Sequence, residues 1–363
     1  MRKLVKERIL KVEPYRPGKP IDDVQRELGL KNVIKLASNE TPYGPSPKVR
    51  QAIIKAVKDI NRYPDGGCFY LRQALAKRHK VAPEQLIFGN GSDEVIVLAL
   101  RAFVDEGDEV IIAKPSFLIY EIGAKIVGAT IKSVPLNNFH YDLEGMAREV
   151  TDRTKIVFIG NPDNPAGTYI SKDCLVKFLE SIRKDIIVFI DQAYFEYVTA
   201  KDYPDGIDFL KTYPNVIASR TFSKMYGLAG LRIGYAAASA EVIDILNRLR
   251  EPFNINSLAQ VAALACLQDQ AYYRRSAKNI EKQRKYICAE VRKLGLPVKE
   301  SVTNFILIDV QQKSTVISDA LLKQGVIVRD MGFWGLNTFI RVTIGSEKEN
   351  KIFIKALTRA LAG

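Results

Sequence analysis

"TKIVFIGNPDNPAGTYISKDCLVKFLESIRKDIIVFIDQAYFEY", Thr154 to Tyr197, opens and closes on runs that are apolar along their whole length. A strand with one wetted face would alternate apolar and polar residues; these do not. Between them "SKDCLVKFLESIRK" reads as a helix. Unbroken apolar strands separated by helices indicate a parallel sheet covered on both faces.

The same alternation extends outward over about residues 85–240. "QLIFGN", "DEVIIAKP", "NVIASRTF" and "RIGYAAA" read as further strands, and "DEVIVLALRAFV" as a further helix. Beyond "REPFNINS" the pattern changes. A long helical region, about 257–295, precedes "NFILIDV", "GVIVRD" and "FIRVTIGS", which read as strands of a smaller α/β unit. The segment before residue 35 is rich in proline and charge and reads as an arm. The expected fold class is therefore α/β, a large domain with a mostly parallel sheet sandwiched by helices plus a smaller C-terminal α/β domain. The expected divisions are an arm over 1–35, the large domain over 36–250 and the small domain over 251–363. Neither internal repeats nor low-complexity tracts interrupt this plan.

With 47% hydrophobic and 26% charged residues, the 363-residue chain has the composition of a globular protein and not of a disordered one. The net charge of +13 permits nucleic-acid binding, but the charges are dispersed along segments such as "RRSAKNIEKQRKYICAEVRKLG". Solvated helix faces account for them, and no nucleic-acid partner is expected. The excess also suits anionic small-molecule substrates, which it would steer. Cys68, Cys174, Cys266 and Cys288 lie far apart without a CxxC pair, and His79 and His140 are the only histidines, which argues against a zinc cluster. Scattered thiols, a start lacking an uninterrupted apolar stretch and the absence of any run approaching a membrane span lead to an expected cytoplasmic location with no membrane partner.

In a parallel α/β sheet ligands sit at the C-terminal strand ends, and the unusual residues gather there. "FGNGSDE" (Phe88–Glu94) ends a strand and starts a helix. Its glycines admit a close ligand, and Ser92 and Asp93 offer N–H groups at the positive end of a helix dipole, a phosphate cradle; a plain helix cap uses the same residues. The dinucleotide and Walker patterns are both incomplete. "NPDNPAGT" is a turn by composition, but its Asn164 would aim an amide above the sheet edge. "FIDQAYFEY" ends an apolar strand on Asp191, with Tyr194 three residues later. A buried carboxylate needs a partner: an arginine, a helix N-terminus or a protonated ring nitrogen.

"TFSKMYGLAGLRIGY" (Thr221–Tyr235) supplies the missing piece. A lysine near phosphate donors, a buried aspartate and a tyrosine suits pyridoxal 5'-phosphate (PLP). Lys224 would carry the cofactor as a Schiff base and then shuttle protons. Asp191 would keep the pyridine nitrogen protonated, and Thr221, Ser223 and Arg232 would bind the phosphate.

In these motifs the chain resembles the fold-type-I PLP-dependent aminotransferases, and among them the histidinol-phosphate aminotransferases. The resemblance spans nearly the whole chain and adds "PYRPGKP", "KLASNETPYGPSP", "RYPDGGCFYLRQALA", "VIVRDMGFWGL" and "FIRVTIGS" to the motifs above. It implies that Tyr194 and Asn164 hydrogen-bond the phenolic oxygen of the cofactor and that Phe117 of "KPSFLIY" stacks on its ring. Many relatives have tyrosine there, so a hydroxyl contact is lost. Tyr63 matches a tyrosine that reaches the cofactor phosphate from a neighbouring subunit, which implies a homodimer. Arg341 matches an arginine that grips a substrate α-carboxylate. Arg329 matches one that binds the distal phosphate of histidinol phosphate, with Tyr15 and Asn39 nearby. Because histidinol phosphate has no α-carboxylate, Arg341 would serve glutamate and 2-oxoglutarate.

Ala166 stands where threonine is common and Thr41 where asparagine is common; neither is needed for proton transfer. An aromatic amino acid aminotransferase and, more distantly, a threonine-phosphate decarboxylase are the rival enzymes, with Arg329 the discriminating residue. A PLP-sensing transcription regulator would need a long N-terminal DNA-binding module, and the motifs here begin by Tyr15.

Overall fold

The computed structural model describes residues 4–15 and 17–362; residues 1–3 and Arg16 of the expected arm, and Gly363, lie outside the described residues. Seven strands form the main sheet: β1 (Leu86–Gly89), β2 (Glu109–Lys114), β3 (Thr130–Pro135), β4 (Thr154–Gly160), β5 (Ile187–Asp191), β6 (Val216–Thr221) and β7 (Gly234–Ala237). Their spatial order is β1-β7-β6-β5-β4-β2-β3, all parallel except β7, which runs antiparallel to both neighbours.

Alternate residues of the apolar runs feed two different cores. Ile156 and Phe158 of β4, with Ile187 and Phe189 of β5, join one cluster with the helix Ser92–Phe103. Val157, Ile159, Val188 and Ile190 join the other, on the opposite face. A sheet buried on both sides requires strands with no polar alternation, and these have none. β3, "TIKSVP", is the exception: it lies at the sheet edge beside β2 and is mostly unburied.

The helical region over 257–295 is two helices, Ser257–Leu267 and Gln270–Lys293, separated at Gln268 and Asp269. The first packs against helices Pro47–Ala56 and Phe69–His79; the second packs against the last helix, Glu347–Leu361. A four-stranded antiparallel sheet follows in the order Arg329–Asp330, Phe339–Thr343, Phe305–Asp309, Val298–Lys299. The run "GVIVRD" is shared between two sheets, because Val326–Ile327 pairs in parallel with Ile34–Lys35. The arm contains the helices Glu7–Leu10 and Ile21–Leu28, and Arg8 ties it down by donating to the Ile126 carbonyl at 3.1 Å and pairing with Glu106. Among the described residues no helix is long and apolar enough to cross a membrane, and no group of three or more His, Cys, Asp or Glu is placed to hold a metal ion.

Candidate active site

A cavity of about 410 Å3 opens above the C-terminal ends of β4, β5 and β6, against the start of the helix Ser92–Phe103, within the size range of small-ligand sites. Every residue assigned to the site from sequence lines it except Tyr63.

Asp191 closes β5 and is 5% exposed. The parallel register sets it between Gly160 of β4 and Ser219 of β6. Tyr120 donates its hydroxyl to Oδ2 at 2.9 Å; the Ser219 hydroxyl and the Ala193 N–H donate to Oδ1, each at 3.1 Å. These donors are neutral, and among the described residues no ion pair includes Asp191. Burial pushes its pKa up to about 6, against the opposing pull of the Tyr120 and Ser219 hydrogen bonds. A carboxyl in this condition is short of one cation.

Lys224 follows β6. Its Nζ donates to the Ser38 carbonyl at 3.2 Å and stands 5.9 Å from the Tyr194 ring centre. Burial, then the positive charge of Arg341, brings its pKa down to about 8. Tyr194 accepts from Asn39 Nδ2 at 2.9 Å and Asn164 Nδ2 at 3.4 Å. Two amide donors occupy the oxygen's lone pairs, so its own proton is left to donate. Burial raises its pKa to about 12 and keeps it neutral.

At the helix start Arg232 bridges two elements. Its Nη2 pairs with Asp93 Oδ2 at 3.2 Å and its Nη1 donates to Ser223 Oγ at 3.4 Å. Thr221 Oγ1 accepts the Ser223 N–H at 3.1 Å, bending the loop after β6 back on itself. Two glycines allow this approach. A Cβ on Gly91, whose φ is +84°, would lie 2.2 Å from Arg232 Nη2, and one on Gly234 would lie 2.4 Å from the Ser92 backbone nitrogen. The first N–H groups of a helix have no internal partner, so Ser92 and Asp93 present open donors beside a guanidinium and two hydroxyls.

The far wall comes from the four-stranded sheet. Arg329 and Arg341 are direct cross-strand partners, an arrangement in which like charges repel. Arg341 is held by the Asn164 side chain, by the Ala37 carbonyl at 3.0 Å and by the Phe305 ring face at 5.3 Å. Its Nε is buried without a hydrogen-bond partner among the described residues. Burial lowers its pKa, and the Arg329 charge adds to that. Arg329 stands over the rings of Tyr15, at 5.8 Å, and Trp334, at 4.9 Å. Asn39, at φ 56°, is buried behind Tyr194 and locked through Thr343 and Asn304. Phe117 caps the helix Leu118–Val127 and meets Tyr120 edge-on at 5.6 Å. Tyr63 stands apart, 83% exposed and stacked on Phe253 at 4.8 Å.

Three residues that support the assigned side chains escaped the sequence reading. Tyr120 lies in "KPSFLIY", three residues after Phe117 and one helical turn on, a spacing that brings side chains together. Ser219 lies two residues before Thr221 on the same face of β6. Trp334 had no local signal, because Ser116, to which it bonds, is 218 residues away.

The donor set fits PLP. Buried Asp191 lacks a cation, Lys224 is a half-neutral amine near pH 8, and the glycine-cleared helix start gathers donors for a phosphate. Comparison with known proteins agrees. Residues 31–357 match the family Aminotransferase class I and II. The histidinol-phosphate aminotransferase of Moorella thermoacetica is 47% identical over 98% of this chain and 93% of its own length. That of Caldicellulosiruptor saccharolyticus is 45% identical over 99% of this chain and 100% of its own. The crystal structure of histidinol-phosphate aminotransferase from Sinorhizobium meliloti in complex with pyridoxal-5'-phosphate superposes with a TM-score of 0.91, at 29% identity over 98% of this chain and 96% of that one.

Proposed function

The chain belongs to the class I and II aminotransferases, and on that premise we propose that it is an L-histidinol-phosphate:2-oxoglutarate aminotransferase of histidine biosynthesis. The observation that carries the substrate assignment is the cross-strand pair Arg329 and Arg341 on the cavity wall. Two guanidiniums held side by side against their own repulsion suit a dianion better than a single carboxylate. Histidinol phosphate offers a phosphate where amino acids offer a carboxylate.

Bound PLP supplies an electron sink for the pair left when a C–H bond beside the substrate amine breaks. Lys224 Nζ, neutral above about pH 8, is the amine that holds the cofactor and then takes and returns the proton. Asp191 supplies the negative charge that holds a proton on the ring nitrogen. Tyr194, fixed by Asn39 and Asn164, would direct its O–H as a hydrogen-bond donor to the ring oxygen. Ser92 and Asp93 N–H groups, the Thr221 and Ser223 hydroxyls and Arg232 anchor the phosphate, and Phe117 covers the ring face. Tyr15 and Asn39 border the distal pocket, and Arg341 receives the carboxylate of glutamate or 2-oxoglutarate in the second half-reaction.

The site is completed by a second copy of the chain. Exposed Ile54, Ile60, Tyr63, Phe69, Tyr70 and Phe253 leave apolar surface for a partner to cover, and Tyr63 would reach the phosphate of the partner's site. The four free thiols support a reducing, cytoplasmic setting.

Half-reactions test the assignment. The PLP form is mixed separately with histidinol phosphate, phenylalanine and glutamate, without an oxo acid, and the visible absorption is followed. Histidinol phosphate should react orders of magnitude faster than phenylalanine, and Arg329→Ala should erase most of that advantage, about a hundredfold. Equal rates for histidinol phosphate and phenylalanine would make the enzyme an aromatic aminotransferase.

A further inference from the structure

Trp334 occupies a junction that none of the assigned roles uses. It is the chain's only tryptophan, is nearly buried and lines the cavity. Its ring face lies 4.9 Å from the Arg329 guanidinium. Its Nε1–H donates to the Ser116 carbonyl at 3.1 Å, one residue before Phe117. One side chain thus touches the arginine at the far wall and the loop that carries the ring-stacking phenylalanine.

We propose that Trp334 is the positioning residue that sets substrate specificity, by fixing Arg329 for a dianionic phosphate group and tying it to the Phe117 loop. This rests on the assignment of Arg329 to the phosphate end of the substrate. Arg329 needs such a fixture because Arg341 stands directly opposite it and repels it. Arg341 is restrained by an amide, a carbonyl and a ring. For Arg329 the rings of Tyr15 and Trp334 provide cation–π attraction. Tyr15 belongs to the arm and is exposed, whereas Trp334 is buried and anchored through its Nε1–H. An aromatic face packs against the guanidinium plane and so restrains its orientation.

The test uses the PLP-loaded enzyme and two variants. Trp334→Phe keeps a ring face and removes the Ser116 hydrogen bond; Trp334→Leu removes both. KM for histidinol phosphate should rise about threefold and about tenfold respectively, with kcat within twofold. Phenylalanine, which carries no phosphate, should be affected less than histidinol phosphate in both variants. Inorganic phosphate titrated into the wild-type holoenzyme at constant ionic strength should change the tryptophan emission saturably, and Arg329→Ala should abolish that change. A Trp334→Leu enzyme with unchanged KM for histidinol phosphate, beside an Arg329→Ala enzyme that loses it, would overturn the role of Trp334 and leave the substrate assignment standing. The Phe variant carries the same comparison if the Leu variant does not fold. If Arg329→Ala itself spares histidinol phosphate, the substrate assignment falls and takes this inference with it. A phosphate titration without any saturable change would likewise overturn it.

Discussion

In the role proposed for it, Lys224 would act as nucleophile and base near neutral pH, which an ordinary lysine, protonated up to about pH 10, does poorly. Burial and the neighbouring Arg341 charge lower its pKa to about 8. A lowered lysine pKa leaves the neutral amine dominant above that value. The rate at which apoenzyme captures added PLP, read from the visible band, should therefore climb with pH and level off above about pH 8. A rate still climbing beyond about pH 10 would mean that Lys224 is not shifted. Asp191 offers a separate check. Asp191→Asn keeps one acceptor oxygen, for Ser219 and the Ala193 N–H or for Tyr120 but not for both, and loses the charge, so cofactor should stay bound while proton removal from the substrate slows about a hundredfold or more. An unchanged half-reaction rate would remove Asp191 from the ring nitrogen. These two residues were legible in sequence because each broke a local rule: a carboxylate ending an apolar strand, and a lysine inside a hydroxyl- and glycine-rich loop. Their supports were less legible. Tyr120 and Ser219 are ordinary residues until the sheet register sets them beside Asp191.

Strands buried on both faces announce themselves by unbroken apolar runs, and all six such runs became strands of the main sheet. β3 did not, since an edge strand with most of its side chains in solvent carries no such run. The reversed direction of β7 was equally hidden, because burial pattern does not encode strand direction. The break at Gln268–Asp269 divides a helical region with neither glycine nor proline to mark it. The meeting of β7 with the helix Ser92–Phe103 carries a prediction of its own. Gly234 pairs with Gly89 in the sheet and faces the helix start, where a Cβ would come 2.4 Å from the Ser92 nitrogen. Backbone is on both sides, so Gly234→Ala should push the helix start away from Arg232. About 1–3 kcal/mol of stability should be lost to overpacking, and the dissociation constant for PLP should rise at least tenfold, by equilibrium dialysis. A variant with wild-type cofactor affinity would mean that the helix N-terminus does not hold the phosphate.

The division of the whole chain follows packing more than sequence texture. We propose that the large unit extends past residue 250 to include Ser257–Leu267, because that helix packs on Pro47–Ala56 and Phe69–His79, while Gln270–Lys293 packs on the last helix. The exposed rings of this unit come in two pairs, Tyr63 on Phe253 and Phe69 against Tyr70. Single-chain packing gives them no cover, and sequence alone could not show how they pair. A symmetric dimer would bury them and deliver Tyr63 to the partner's cofactor phosphate. Two inactive variants then complement one another. Lys224→Ala lacks the amine but lends an intact Tyr63; Tyr63→Ala keeps the amine but lends nothing. After dissociation and random reassociation, half of the dimers are hybrids with one site complete, so the mixture should recover about a quarter of wild-type activity. If Tyr63 served its own subunit, every site in the mixture would lack either the amine or the tyrosine. Activity would then stay at the average of the two parents, and size measurements on the same samples would tell whether subunits had exchanged at all.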